Sequence, residues 1–109
     1  MNIEFELDRS EPLNLVDVYG SIKVIGLHNA EIVDEFTCLD YFIEALAKAL
    51  IEVKSSDRSS IDFIVEPDPI VVTRDQDTIC LSYGTMNLEC SYESAINAVN
   101  RAYIDLLEQ

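Results

Sequence analysis

Apolar side chains recur at every second residue through most of this chain, and at every third or fourth residue in only two stretches, 38–54 and 92–107. The order is therefore strands, helix, strands, helix. A parallel sheet needs a long crossover, usually a helix, between successive strands. Two helices placed this late are too few to supply such crossovers. The pattern predicts an α+β domain: a mostly antiparallel sheet of about five to six strands with two helices packed on one face, in β-β-β-α-β-β-β-α order. A single domain over residues 1–109 accounts for the whole length, which suffices to bury a core without staples.

The elements read as follows. In residues 1–8, Met1, Ile3, Phe5 and Leu7 face one way and Asn2, Glu4, Glu6 and Asp8 the other, as in a strand with one buried face. Residues 9–12 form a turn. Residues 13–27 are extended, interrupted at Gly20-Ser21 by a bulge or a tight turn. His28-Asn29 reads as a hairpin turn and 30–36 as a further strand. The first helix carries the stripe Leu39, Phe42, Ile43, Leu46, Ala47, Leu50 and Ile51. Thr37 is its expected N-cap, Asp40 favours its positive end, and Glu44 with Lys48 makes an exposed i,i+4 pair. Residues 55–60 close it as a polar loop. Strands follow at 61–66, 70–73, 79–83 and 86–90, separated by Pro67-Asp68-Pro69, a turn at 74–77, and Gly84. Ser91 caps the second helix, whose stripe is Tyr92, Ala95, Ile96, Val99, Ala102, Tyr103, Leu106 and Leu107.

Charge bounds the partners. The chain has 21 acidic and 7 basic residues, a net of −14. Apolar residues make up 49%, too many for a disordered acidic chain. Such a surface repels nucleic acid and anionic lipid and attracts basic partners at long range. Lys and Arg are scattered singly, which also argues against nucleic-acid binding. The start lacks the basic and apolar runs of a signal peptide. No apolar stretch approaches the roughly 20 residues that cross a bilayer. The chain therefore reads as soluble and cytoplasmic. Cys38, Cys80 and Cys90 form no Cys-x-x-Cys pair and read as small buried hydrophobes.

No catalytic constellation stands out. His28 is the only histidine and lacks the nucleophile or second ligand that catalysis or zinc would require. Asp75-Gln76-Asp77 lacks the central glycine and closing glutamate of a calcium loop and reads as a polar turn. Glu66 and Asp68 flank a proline in what reads as a rigid solvated loop. Gly20, Gly26 and Gly84 build no phosphate loop. No metal and no cofactor is expected.

The acidic clusters remain. Glu31, Asp34, Glu35, Asp40 and Glu44 fall together with no basic residue among them. Asp62, Glu66, Asp68, Asp75 and Asp77 form a second group, diluted by Arg74. A charge run is ordinarily a solvated face. A net charge this large also repels itself, which makes a compensating use plausible. Tyr41 falls off the apolar stripe beside Asp40 and Glu44, and a tyrosine rimmed by carboxylates is a good anchor for a basic protein. The expected partner-binding set is Glu31, Asp34, Glu35, Asp40, Tyr41 and Glu44.

In size, acidity and α+β layout the whole chain resembles the small acidic immunity proteins of bacterial toxin–immunity systems. The resemblance lies in overall character and carries over no family residue. It implies a non-enzymatic inhibitor that neutralises a basic partner, often a nuclease toxin, with carboxylates standing where substrate phosphates would lie. Two other classes share some features. An acidic cytosolic chaperone for a secreted effector would be a stable dimer burying an apolar helix face. A small-ligand or enzyme domain would show a deep pocket with convergent polar groups. Oligomeric state and strand order are left open.

Overall fold

A computed structural model describes residues 1–8, 18–62 and 66–108. These residues form β1 (Asn2–Leu7), β2 (Tyr19–Ile25), β3 (Glu31–Cys38), α1 (Leu39–Glu52), β4 (Arg58–Ile61), β5 (Ile70–Asp75), β6 (Thr78–Tyr83), β7 (Met86–Ser91) and α2 (Tyr92–Leu107). The class and element order are those the hydrophobic period predicts. The strands number seven among the described residues, and they form two antiparallel sheets, β1-β2-β3 and β4-β5-β6-β7. The turn expected at 9–12, residues 13–17 of the expected extended stretch and residues 63–65 of the strand expected at 61–66 lie outside the described residues.

The strand that differs is β4, which starts and ends earlier than the strand expected at 61–66. Residues 58–60, expected in a polar loop, instead pair with β5, with Ser59 opposite Val72. Ser59 is buried, and its hydroxyl donates to the Glu52 carboxylate at the end of α1. A polar residue can enter a strand interior when a partner satisfies it.

One face of each sheet is buried. Ile22, Val24 and Ile32 from the first sheet meet Ile70, Val72, Ile79, Leu81, Leu88 and Cys90 from the second in a single core. Both helices cover this face. α1 packs on strands of both sheets, and α2 lies against α1, β1 and β7. α1 buries Leu39, Phe42, Ile43, Ala45, Leu46, Ala49 and Leu50. Its stripe is thus rotated from the expected one. Ala45 and Ala49 are inside, Ala47 is half-buried, and Ile51 is 59% exposed.

The helix starts differ. Ser91 caps α2 as expected, its Oγ accepting the Ser94 amide at 3.1 Å. α1 is not capped by Thr37, because β3 continues through Cys38 and buries Thr37 in the strand. Cys38 holds the N-cap position without a side-chain bond to the helix. Asp40 instead gathers the junction, its Oδ1 accepting the Val18 amide at 3.3 Å and the Cys38 thiol at 2.8 Å. Thr37 Oγ1 is buried with no hydrogen-bond partner among the described residues.

Two close approaches fix how the strands sit. A Cβ on Gly20 would stand 2.0 Å from the Glu6 carbonyl oxygen. A Cβ on Gly26 would stand 2.6 Å from the Glu89 carbonyl oxygen, so the end of β2 touches β7 at this point. The His28-Asn29 turn forms as expected, both residues having positive φ (58° and 60°). Cys38 and Cys90 are buried and Cys80 is half-buried, all as free thiols.

Candidate functional site

The register between β2 and β3 shifts once. Gly20 stands opposite Thr37, whereas Ile22 stands opposite Asp34. One residue of β2, Ser21, therefore faces two of β3, Glu35 and Phe36. This is a bulge, and the extra residue lies on β3. It breaks the alternation, so Glu35 and Phe36 both face solvent while Thr37 and Cys38 are both buried. Phe36 is 58% exposed and stacks on Tyr19, with ring centroids 5.3 Å apart and planes 8° from parallel.

Asp34, just before the bulge, is held from two sides. Its Oδ1 accepts the Phe36 amide at 3.1 Å, and its Oδ2 accepts the Tyr83 hydroxyl at 2.6 Å. Tyr83 is only 6% exposed, and its ring stands edge-on to Phe42 at 5.3 Å. Burial pushes the Tyr83 hydroxyl strongly up, and the hydrogen bond and charge of Asp34, then Glu66, add to it. The phenol therefore stays a proton donor between two carboxylates. Asp68 lies close by, because a Cβ on Gly84 would come 3.2 Å from its Oδ2. Gly84 has φ 62°, which suits glycine in the turn between β6 and β7. Asp34 belongs to one acidic group of the sequence, Glu66 and Asp68 to the other. Tyr83 and the adjoining turn bring the two together.

β3 and β7 are the facing edges of their sheets. The Val33 amide donates to Met86 Sδ at 3.4 Å, and Asp34 reaches Tyr83. Each strand thus shelters an edge of the other sheet, a common way to keep an edge from pairing elsewhere.

The other expected site residues are placed as follows. Glu31 and Glu35 are exposed on β3, and Glu44 is exposed on α1. Asp40 is half-buried and occupied with Val18 and Cys38. Burial, then the bond to Asp40, pushes the Cys38 thiol up to about 11, which makes it a poor nucleophile at neutral pH. Tyr41 is half-buried and packs against the core. The exposed aromatics of this surface are Phe36 and its stacking partner Tyr19, of which sequence reasoning singles out neither. The signal for Phe36 is the loss of alternation across Glu35-Phe36-Thr37-Cys38.

The remaining candidates stay apart from this surface. His28 is exposed in its turn, and Asp75 and Asp77 flank Gln76 (φ 54°) in the exposed turn joining β5 to β6. Among the described residues, no group of three or more His, Cys, Asp or Glu side chains is placed to hold a metal ion. The arrangement suits recognition of cations: a flat aromatic pair within fixed negative charge.

No family model matches the chain, and no curated protein and no solved structure matches it. No described helix is long and apolar enough to cross a membrane.

Proposed function

We propose that this chain is a non-enzymatic protein-binding inhibitor that neutralises a basic partner in the cytoplasm, in the manner of an immunity protein against a toxin. The observation that carries the reading is the β3 bulge. It turns Glu35 and Phe36 outward together and stacks Phe36 on Tyr19, with the Asp34 carboxylate bonded to the Phe36 amide. No Lys or Arg occurs between Lys23 and Lys48. A rigid aromatic anchor gives affinity by burial, and the surrounding carboxylates steer a basic partner in. Asp34 is already fixed by Tyr83 and the Phe36 amide, so little ordering remains to be done on binding. On a nuclease, these carboxylates would occupy the place of substrate phosphates.

The test is capture from native lysate at low salt, followed by a rising salt gradient and mass spectrometry. One basic protein retained in fixed ratio and released by salt is the expected result. Phe36→Ala and Glu35→Lys should each weaken its retention about tenfold or more. Retention of abundant ribosomal proteins alone, indifferent to both substitutions, would reject the reading.

A second reading has one observation in its favour. Tyr103, Ile104 and Leu107 are exposed on the last turns of α2. A dimeric chaperone for a secreted effector would bury such a face. Sedimentation of the isolated chain as a monomer at high concentration would remove this alternative.

A further inference from the structure

The geometry points to the outer edge of β1 as a second docking surface, one that accepts an extended basic segment of another protein by strand addition. Among the described residues β1 pairs only with β2. The Asp8 amide donates to the Tyr19 carbonyl at 2.9 Å, which sets the phase of the ladder. In an antiparallel pair the residues bonded to the partner alternate with those that are not. Asn2, Glu4, Glu6 and Asp8 therefore aim their backbone groups at β2. Ile3, Phe5 and Leu7 aim theirs outward.

This edge borders a groove. Residues 3–7 face Asp105 and Glu108 at the end of α2 across a space of about 490 Å³. Ile3 also lines a second space of about 330 Å³, with Asn97 and Arg101. The Met1 nitrogen donates to Ser94 Oγ at 3.1 Å, tying the strand to the helix. An edge with outward backbone groups and a side wall is the arrangement that extended peptides use, with main-chain bonds giving affinity and alternate side chains giving selectivity.

Charge decides the occupant. Glu4 and Glu6 stand on the solvent side of β1, and Glu108 stands on the wall. A second copy of the chain is disfavoured. Two β1 strands pairing antiparallel about Phe5 would set Glu4 of each against Glu6 of the other, and like charges directly opposite destabilise a sheet. Each copy also carries a net −14. The carboxylates that oppose self-pairing attract a strand with Lys or Arg at alternate positions. Lys23 lies opposite Glu4 on β2 and Arg101 lies at the far end, so the basic residues should gather near Glu6 and Glu108. This inference does not rest on the β3 surface.

The test is amide hydrogen exchange on the full chain at low salt, read residue by residue by NMR, with a short peptide alternating lysine and valine. The Ile3, Phe5 and Leu7 amides should exchange about tenfold or more slowly when the peptide is bound, while those of Glu4 and Glu6, already bonded to β2, should change little. The slowing should vanish with a glutamate–valine peptide and in the Glu6→Lys/Glu108→Lys variant, whose two positions are exposed. It should persist in Phe36→Ala, which damages only the other surface. Three outcomes would overturn the proposal: equal slowing with both peptides, changes confined to Glu35 and Phe36, or slowing without peptide that grows with protein concentration. The last would make the occupant a second copy.

Discussion

The two halves of this molecule follow one plan with different precision. In each, an antiparallel meander runs directly into a helix, β1-β2-β3 into α1 and β4-β5-β6-β7 into α2. The second meander keeps an unbroken register from β5 through β7. Its helix begins with a serine cap. The first meander carries a bulge, buries a threonine hydroxyl without a partner among the described residues and starts its helix without a side-chain cap. Yet α1 is the more deeply buried helix, with seven buried residues against three on α2. Irregularity is tolerated where the surrounding packing is strongest, and there it produces an exposed surface of aromatic and acidic groups. The regular half supports that surface.

Truncating the core should break this comparison if it is wrong. Phe42→Ala on α1 removes a fully buried ring and should cost about 3–5 kcal/mol in denaturant unfolding. Val99→Ala on α2 removes far less buried volume and should cost roughly 1–2 kcal/mol. Equal losses would mean that the helices carry the fold equally.

Tyr83→Phe sharpens the comparison, because the lost hydroxyl joins the halves. It should cost about 1.5–3 kcal/mol, as for a hydrogen bond to a charged group. Alkaline titration adds a sign. Cys38 holds its proton to about 11 in the folded chain, against 9.0 when unfolded. Between those values the native state binds more protons than the unfolded one, so stability falls as pH rises. The contribution is complete below pH 9 and gone above pH 11. Chemical denaturation at stepped pH should show this fall, and Cys38→Ala should lessen it, leaving the part that Tyr83 and Cys90, also raised by burial, contribute.

The smallest expected effect has the opposite sign. Thr37→Val replaces a buried hydroxyl, without a partner among the described residues, with a methyl of similar shape and should stabilise the chain by about 1 kcal/mol. A loss instead would show that the hydroxyl has a use.

Legibility in the sequence divides along the same line. Alternation and helical spacing are local properties, so β1, β5, β6, β7 and both helices can be read directly. β4 cannot, because Ser59 and Ser60 take strand geometry only from β5 and Glu52. A bulge near Gly20-Ser21 is legible, but its placement on β3 depends on the register between two strands. The charge run names Glu31, Asp34, Glu35, Asp40 and Glu44. The meeting of Asp34 with Glu66 and Asp68 around Tyr83 depends on β3 lying beside β7, which no local pattern states. Phe36 is hidden when the strand is taken to end there, since the break in alternation shows only in the next two residues.

The Asp34–Tyr83 bond crosses the seam between the sheets and lies beside the surface proposed to meet a partner. A partner gripping both sides of that seam would act as a clamp. Its binding free energy would then also count against the parting of the halves, adding about 2.7 kcal/mol when its free concentration is a hundred times Kd. Recognition and cohesion would share the same few atoms, so a substitution that loosens the seam would weaken the complex without touching the partner.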